Sequence, residues 1–270
     1  MFKELTTPFS FREWYSEIPS VMPYPHFHHH YEIYVLLEGL KVYDIGTEHV
    51  TLRGPSLLLV APETLHLARS VDHSPQRIAL ITFSPDFLKR LQPSAGFALL
   101  DTPFSYLHLP VVDANIAAPF RDVTDETLQL CRLYDLFCTL TARRGELIFG
   151  NPAEGQTEKL TEIVKYICAH LDEKLSLAAL AARFGYSYSY LSELLSQHLG
   201  MSFSEYLAHL RLNRAKIMLR RGASVRETAE ACGFDTPNYF GDFFRRRTGL
   251  SPSEFAGNPK YSVDLTGLFE

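Results

Sequence analysis

The spacing of hydrophobic and polar positions changes along the chain. Between about residues 25 and 85 the apolar positions fall in short runs rich in β-forming residues and separated by glycine or proline, which predicts β-strands. The predicted strands are residues 31–37, 41–45, 49–52, 56–60 and 77–83. Short strands at this spacing are typical of a small barrel or jelly roll, so we predict an all-β N-terminal domain.

A helix is predicted at about residues 121–144, where apolar side chains cover a broad surface. Packing of one face on the β-domain and of the other on a second subunit would make the protein a homodimer. A helix wholly buried within its own domain is the alternative. Residues 146–157, with Gly150 and Pro152, then predict a linker.

A segment of the C-terminal half occurs twice: residues 177–200 recur as residues 225–249. Ala181 and Gly185 in the first copy match Ala229 and Gly233 in the second. A small residue where two helices cross and a glycine in the turn are typical of a helix-turn-helix. A helical domain with repeated packing motifs is the alternative, but a basic cluster follows the first copy, within residues 211–221, and another lies near the end of the second, at residues 245–247, which favours DNA binding.

Each copy predicts a supporting helix and a recognition helix for the DNA major groove. The supporting helices are residues 177–184 and 225–232, and the recognition helices are residues 188–199 and 237–248. We expect Tyr239 to be buried with its phenylalanine neighbours. The candidate DNA-binding residues, on the exposed faces and in the basic helix between the units, are Ser189, Ser192, Glu193, Gln197, Arg211, Arg214, Asn238, Asp242, Arg245 and Arg246.

Composition agrees with two soluble domains, since 46% of the 270 residues are hydrophobic and 21% are charged. The sequence shows no apolar run of membrane length and no N-terminal signal, so we expect a cytoplasmic protein with no membrane partner. The four cysteines include no C-x-x-C pair and are expected to be reduced and packed in the core.

Charge is divided unevenly between the halves. Residues 1–156 contain 12 basic and 18 acidic residues, whereas residues 157–270 contain 14 and 13. Phosphate neutralisation supplies much of the affinity for DNA. A near-neutral DNA-binding half therefore predicts weak binding that is sensitive to salt.

The C-terminal half resembles the AraC/XylS family of bacterial transcription regulators. The resemblance covers about residues 158–257, and its motifs are GMSFSEYL at 200–207, RLNRAK at 211–216, GFDTPNYF at 233–240 and GLSPSEF at 249–255. It implies a domain of seven helices with two helix-turn-helix units that bind double-stranded promoter DNA. It also implies that RNA polymerase is a partner, since many members activate transcription by contacting it.

Two residues depart from the family pattern. Glu193 and Asp242 stand where the family commonly carries arginine. A carboxylate repels phosphate and can accept a hydrogen bond from cytosine N4, so we hypothesise a target site with cytosine on the contacted strand. Contacts that are only intramolecular or mediated by water are the alternative.

The N-terminal half contains a pattern similar to the first cupin motif: H-x-H, three residues, E, six residues, G. His26, His28, Glu32 and Gly39 fit this pattern, and His66 stands where the second motif places its histidine. Because alternate residues of a strand share a face, we expect the first three to point together into the barrel. The second motif is degraded, with glutamate at residue 63 instead of glycine and serine at residue 70 instead of asparagine.

Imidazoles and a carboxylate can hold a divalent metal or hydrogen-bond a sugar or an organic acid. The degraded motif favours an organic effector, with a divalent metal as the weaker alternative and otherwise no cofactor. Exposed His29 and His30 would instead form a pH-sensitive cluster. The candidate effector-binding residues are His26, His28, Glu32, Tyr34 and His66, and the metal candidates are the same set without Tyr34.

Tyrosines near this motif are ambiguous. Tyr24, Tyr31, Tyr34 and Tyr43 can stack on a sugar ring, but tyrosines in small barrels are more often part of the core. The sequence does not separate these two roles.

These observations predict a two-domain transcription regulator and not an enzyme. Residues 1–145 would form a cupin-like effector-binding and dimerisation domain with appended helices, and residues 158–260 an all-α domain with two helix-turn-helix units. The expected function is ligand-responsive regulation, as an activator, with a carbohydrate as the family-typical effector. The alternatives are a metal-dependent cupin enzyme, a dioxygenase or isomerase, fused to a DNA-binding domain, and a DNA-binding dimer that needs no ligand.

Overall fold

The computed structural model describes residues 8–17, 24–46, 48–90, 98–100, 102–109, 115–150 and 156–258. They divide into two compact units, with the division between residues 157 and 158. The predicted linker lies partly outside the described residues, at 151–155, as do the start of the first predicted domain, at residues 1–7, and the end of the second, at residues 259 and 260. Residues 148–150 form a strand of the first unit, so this part of the predicted linker belongs to the β-domain.

The first unit contains two antiparallel sheets. The larger has the strand order β1-β7-β2-β5-β8-β9, and the smaller has β4-β3-β6. The strands are β1 Phe9–Ser16, β2 Tyr31–Glu38, β3 Leu40–Ile45, β4 Glu48–Arg53, β5 Ser56–Val60, β6 His66–Ser70, β7 Gln76–Phe83, β8 Phe104–His108 and β9 Ile148–Gly150. The all-β prediction is confirmed, and β1, β6, β8 and β9 are additional to the predicted strands.

Alternation along the strands builds two apolar layers. On β2, Tyr34 and Leu36 pack between the two sheets, whereas Ile33 and Val35 pack on the other face of the larger sheet. That outer face is covered by the helices α1, Pro85–Lys89, and α2, Glu126–Ala142. The result is a two-sheet sandwich, and no pairing between the described strands closes it into a barrel.

Helix α2 is buried on one side only. Asp125 caps its first turn, and Leu133, Leu136, Phe137 and Leu140 pack on the larger sheet. Leu128 is 51% exposed, so the alternative of a wholly buried helix is wrong. The expectation that all cysteines are buried also fails, because Cys131 and Cys138 on this helix are exposed.

The second unit is helical throughout. Its seven helices among residues 156–258 agree with the number that the resemblance implied. They are α3 Gln156–Ala169, α4 Leu177–Phe184, α5 Tyr188–Leu199, α6 Phe203–Arg220, α7 Val225–Ala231, α8 Pro237–Thr248 and α9 Pro252–Gly257. No helix in the described part of the chain has the length and apolar character that crossing a membrane requires.

Candidate DNA-binding interface and effector site

The first helix-turn-helix consists of α4 and α5. Gly185 ends α4 at a φ of +72°, a left-handed conformation that costs glycine little, and Tyr186 N donates to Ala181 O at 2.9 Å across the turn. The Ser187 side chain then accepts from Tyr190 N and caps α5. The left-handed turn at Gly185 and the Ser187 cap together set the direction in which α5 leaves the turn.

Helix α5 turns a polar face outward. Ser189, Glu193 and Gln197 are exposed and Ser192 is half-buried, while Leu191, Leu194 and Leu195 hold the other face in the core. The four polar residues share one surface of α5 with Tyr188 and Ser196. Within it, the Gln197 Nε2 amide donates to Glu193 Oε1 at 3.1 Å.

The second unit repeats this framework with α7 and α8. Gly233 has a φ of +70°, and Phe234 N donates to Ala229 O at 3.0 Å. The Thr236 side chain caps α8, and Pro237 occupies its first turn. One more residue separates the glycine from the cap than in the first unit, so the turn is longer by that residue.

Helix α8 presents a basic face. Asn238, Asp242, Arg245 and Arg246 are all exposed, as predicted. Arg246 Nε donates to the backbone oxygen of Asp242 at 3.3 Å, not to its carboxylate. The exposed guanidinium groups of the last turns give α8 the positive charge that α5 lacks.

Two predictions for this domain are corrected by the structure. Tyr239 is 58% exposed instead of buried: its ring centroid lies 6.0 Å from that of Phe234, at the edge of the aromatic core. Arg211 was predicted to contact DNA, but its guanidinium donates to Leu171 O at 3.1 Å and to Glu173 O at 2.7 Å. Arg211 therefore joins α6 to the loop before α4. Arg214 is half-buried on the same helix.

The predicted effector residues converge in the first unit. His28 Nε2 lies 3.1 Å from Glu32 Oε2, and His66 Nε2 lies 4.0 Å from the same oxygen. A pair of backbone hydrogen bonds at 2.9 Å brings His26 beside His66. Nitrogen atoms of His26, His28 and His66 all lie within 4.8 Å of one another.

Backbone carbonyls orient two of these imidazoles. His28 Nδ1 donates to His30 O, and His66 Nδ1 donates to Thr64 O, both at 2.8 Å. A ring that donates through Nδ1 turns Nε2 toward the centre of the cluster. His66 Nε2 and His26 Nδ1 are buried and have no hydrogen-bond partner. Sequence reasoning missed the two carbonyls because no side chain marks them.

Burial and the neighbouring carboxylate separate the protonation states of the cluster. Burial, with the charge of nearby histidines, lowers the pKa of His26 and of His66 to about 3. Burial is the largest single influence on His28 and disfavours its charge. The hydrogen bond to Glu32, the negative charges of Glu32 and Glu63 and the hydrogen bond to His30 O together outweigh it and raise the pKa of His28. Burial is also the largest influence on Glu32, but the hydrogen bonds from His28 and Tyr43 and the charges of His28 and His66 together outweigh it and lower the pKa of Glu32. At neutral pH the cluster thus holds an ionised carboxylate beside two neutral rings.

The structure partly separates the two roles considered for the tyrosines, packing in the core and stacking on a sugar. Tyr24, Tyr34 and Tyr43 are buried, and Tyr31 stacks on Phe83 with ring centroids 5.2 Å apart. Tyr43 also donates to Glu32 Oε1 at 3.4 Å, which the sequence did not indicate. The Tyr34 hydroxyl is buried without a hydrogen-bond partner.

The prediction of an exposed pair at His29 and His30 is wrong for one residue. His30 is only 5% exposed, and burial lowers its pKa to about 4. His29 is exposed and pairs with Glu63. The two histidines therefore do not form one surface cluster.

Two family models match the chain. The AraC-like ligand binding domain matches residues 20–137, and a helix-turn-helix domain matches residues 180–258. The first covers the predicted effector residues, and the second covers both recognition helices.

Known proteins with similar sequences are transcription regulators. The HTH-type transcriptional activator RhaS of Escherichia fergusonii is 27% identical over 244 residues, which cover 84% of this chain and 86% of the relative. The HTH-type transcriptional regulator YijO of Escherichia coli K12 is 38% identical over 113 residues, 41% of this chain and 39% of its own.

Among solved structures, the unsaturated fatty acid bound ToxT from Vibrio cholerae aligns over 94% of this chain and 97% of its own, with 15% identity and a TM-score of 0.49. The two family models together account for both structural units of this chain. The chain therefore belongs to the AraC family of transcription regulators, with a ligand-binding domain followed by a helix-turn-helix DNA-binding domain.

Proposed function

We propose that the protein is a transcription activator, and not an enzyme, that responds to a carbohydrate bound inside its N-terminal domain. The observation that carries this proposal is the buried set of acceptors: His66 Nε2, His26 Nδ1 and the ionised Glu32 carboxylate. A buried acceptor without a donor costs about 1–3 kcal/mol. Sugar hydroxyls are donors that would remove this cost. The similarity to RhaS, a transcriptional activator, supports activation as the sign of regulation.

The DNA-binding role of individual residues is part of the proposal. Exposure of the polar face of α5 and of the basic face of α8 supports direct contacts with promoter DNA. The proposed contact residues are Ser189, Ser192, Glu193, Gln197, Asn238, Asp242, Arg245 and Arg246, with Arg214 beside them. Arg211 is left out because its donors bind backbone carbonyls.

Effector binding can regulate transcription only if the effector favours one state of the protein over another. Selection of DNA sequences by the full chain, with and without a panel of neutral sugars and sugar acids, tests this directly. We expect one enriched motif whose affinity changes with a sugar. An enriched motif that no compound alters would favour the ligand-independent dimer instead.

Variants of the acceptor set test where the effector binds. Glu32→Gln removes the charge and replaces one acceptor oxygen with a donor, and His66→Ala removes an acceptor nitrogen. Both should abolish the response to the sugar while DNA binding in its absence persists. His49→Ala is the matched control, because that imidazole is 70% exposed and pairs with Asp44 on the surface. An unchanged sugar response in both site variants would contradict this location.

A second candidate occupant is a divalent metal, which the convergence of His26, His28 and His66 within 4.8 Å favours. Carbonyl-oriented imidazoles and an adjacent carboxylate fit the ligand set of zinc, iron, nickel or manganese. A metal there would act as a Lewis acid toward a bound oxygen. Metal analysis of the purified protein tests it: about one ion per chain, lost in His26→Ala and His66→Ala but kept in His49→Ala, would favour the metal and reopen the cupin-enzyme alternative.

We also propose that the chain is a homodimer that recruits RNA polymerase at promoters in the bacterial cytoplasm and nucleoid. The exposed face of α2, with Leu128, Cys131, Tyr134 and Cys138, supports pairing with a second copy. Leu128→Asp should shift the protein to the monomer in analytical ultracentrifugation. A dimer of unchanged stability in this variant would contradict the use of α2.

A further inference from the structure

We propose that Glu193 and Gln197 form one recognition unit on α5 that selects a cytosine in the target DNA. Gln197 holds the carboxylate, and Glu193 accepts a hydrogen bond from the exocyclic amine of the base. The inference rests on the proposed contact between α5 and the major groove. It adds the base that is recognised and the residue that rejects the other bases.

The first step of the argument is the state of the carboxylate. Both side chains are exposed, and Gln197 Nε2 donates to Glu193 Oε1 at 3.1 Å. Among the described residues, the structure gives the Glu193 side chain this hydrogen bond and no ion pair. The second carboxylate oxygen, Oε2, is therefore left to accept from DNA, with its charge not neutralised by the protein.

The second step is the chemistry of the groove. An ionised carboxylate only accepts hydrogen bonds, and guanine and thymine present acceptors on their major-groove edges. Adenine presents a donor next to an acceptor, whereas cytosine presents its N4 amine without an adjacent acceptor. Glu193 is thus attracted to cytosine and penalised at the other bases, because a desolvated charge without a donor is costly.

The third step is the role of Gln197. It lies one helical turn after Glu193, and its amide restricts the long glutamate side chain to one position. A positioned carboxylate loses less conformational entropy when it binds its base. Gln197 therefore acts as a positioning residue for Glu193.

The equivalent residues on α8 do not repeat this arrangement. Asp242 stands at the position of Glu193, and Arg246 stands at that of Gln197. Arg246 donates to the Asp242 backbone oxygen, so among the described residues Arg246 does not hold that carboxylate as Gln197 holds the carboxylate of Glu193. The inference is therefore confined to α5.

The test uses the full chain and the DNA motif that it enriches. Each cytosine of the motif is replaced in turn by 2-pyrimidinone, which pairs as a cytosine analogue without the N4 amine. We expect one position where this change weakens binding of the unchanged protein about tenfold. At that position the affinity of the Glu193→Ala variant should not change when 2-pyrimidinone replaces cytosine, and the variant should accept all four bases. It should also bind unrelated DNA more tightly, because a charge that repels phosphate is gone.

Gln197→Met keeps the side-chain volume and removes the amide. We expect it to reduce the preference for cytosine over 2-pyrimidinone while affinity for unrelated DNA stays unchanged, and Gln197→Asn, whose shorter amide remains a donor, to rescue part of the preference. Glu162→Ala is the charge-matched control, since Glu162 is an exposed carboxylate on α3. It should leave the motif unaltered.

The outcomes separate this inference from the proposed DNA binding. Enrichment of the same motif by Glu193→Ala and by the unchanged protein would overturn the recognition unit and leave DNA binding intact. Loss of the cytosine preference in Glu162→Ala as well would also overturn it, because the effect would then come from net charge. Failure to enrich any motif would overturn both proposals.

Discussion

The two helix-turn-helix units have the same framework and different outward faces. Ala181 and Ala229 occupy the buried crossing, Gly185 and Gly233 the turn, and Ser187 and Thr236 the cap. At the outward positions the chemistry differs, because Ser196 and Gln197 of α5 correspond to Arg245 and Arg246 of α8.

This difference shows that different constraints act on the framework positions and on the outward positions. Framework residues are determined by backbone geometry and packing, which are the same in both units. Outward residues are exposed and take no part in this packing, so they are free to differ between the units. We infer a division of labour in which α8 supplies most of the attraction to phosphate and α5 supplies discrimination between bases.

Substitution of the turn glycines should reveal the largest difference in stability between the two units. A Cβ at Gly233 would lie 2.5 Å from both Arg211 Nη2 and Leu171 O, whereas a Cβ at Gly185 would meet nothing within 4 Å. Gly185→Ala should cost about 1–2 kcal/mol for its left-handed backbone alone. Gly233→Ala should cost about 3 kcal/mol or more, because it also displaces the hydrogen bonds of Arg211. Urea unfolding followed by hydrogen exchange in α4–α5 and α7–α8 measures both, and equal costs would contradict the comparison.

Removing charge from α8 should have the next largest effect. The double variant Arg245→Ala with Arg246→Ala should weaken binding to all DNA sequences and lower the slope of log affinity against log salt by about 2. Fluorescence anisotropy at several salt concentrations measures the slope. Arg226→Ala is the control, because Arg226 is exposed on α7 and paired with Glu230. A slope that the double variant leaves unchanged would place the phosphate contacts elsewhere.

The helix caps should give the smallest difference. Ser187 Oγ accepts from Tyr190 N and Thr236 Oγ1 from Tyr239 N, both at 3.2 Å. Replacing either by alanine should cost about 1 kcal/mol. The Thr236→Ala loss should be the smaller by a few tenths of a kcal/mol, because Pro237 already fixes the first helical φ of α8. Hydrogen exchange in α5 and α8 resolves the two, and a larger loss at Thr236 would contradict this role of the proline.

The sequence predicted the repeated units well because their signals are local. Three signals each act within a few residues: glycine in the turn, a serine or threonine cap, and proline in the first turn. The structure confirms the helices whose ends these residues mark. Local patterns failed for Arg211 and Tyr239. Whether an arginine points to solvent or to a carbonyl 40 residues earlier depends on how the helices pack.

The cluster of histidines around Glu32 in the other domain shows the same limit to what a sequence can predict. The spacing of His26, His28 and Glu32 predicted a shared face, and their convergence with His66 is observed. The orientation of the rings was beyond the sequence, since it is set by the carbonyls of His30 and Thr64. So were the bond from Tyr43 to Glu32 and the burial of His30.

By itself, the sequence determined the fold class of both domains, the helix-turn-helix repeat and the residue types of the two sites, because periodicity, turns and caps are properties of neighbouring residues. Only the tertiary structure decided which polar side chains are exposed, which donors are already occupied and which acceptors are left without a partner. These properties depend on burial and on contacts between segments that are distant along the chain, and they determine the charge and the hydrogen-bonding capacity of each site.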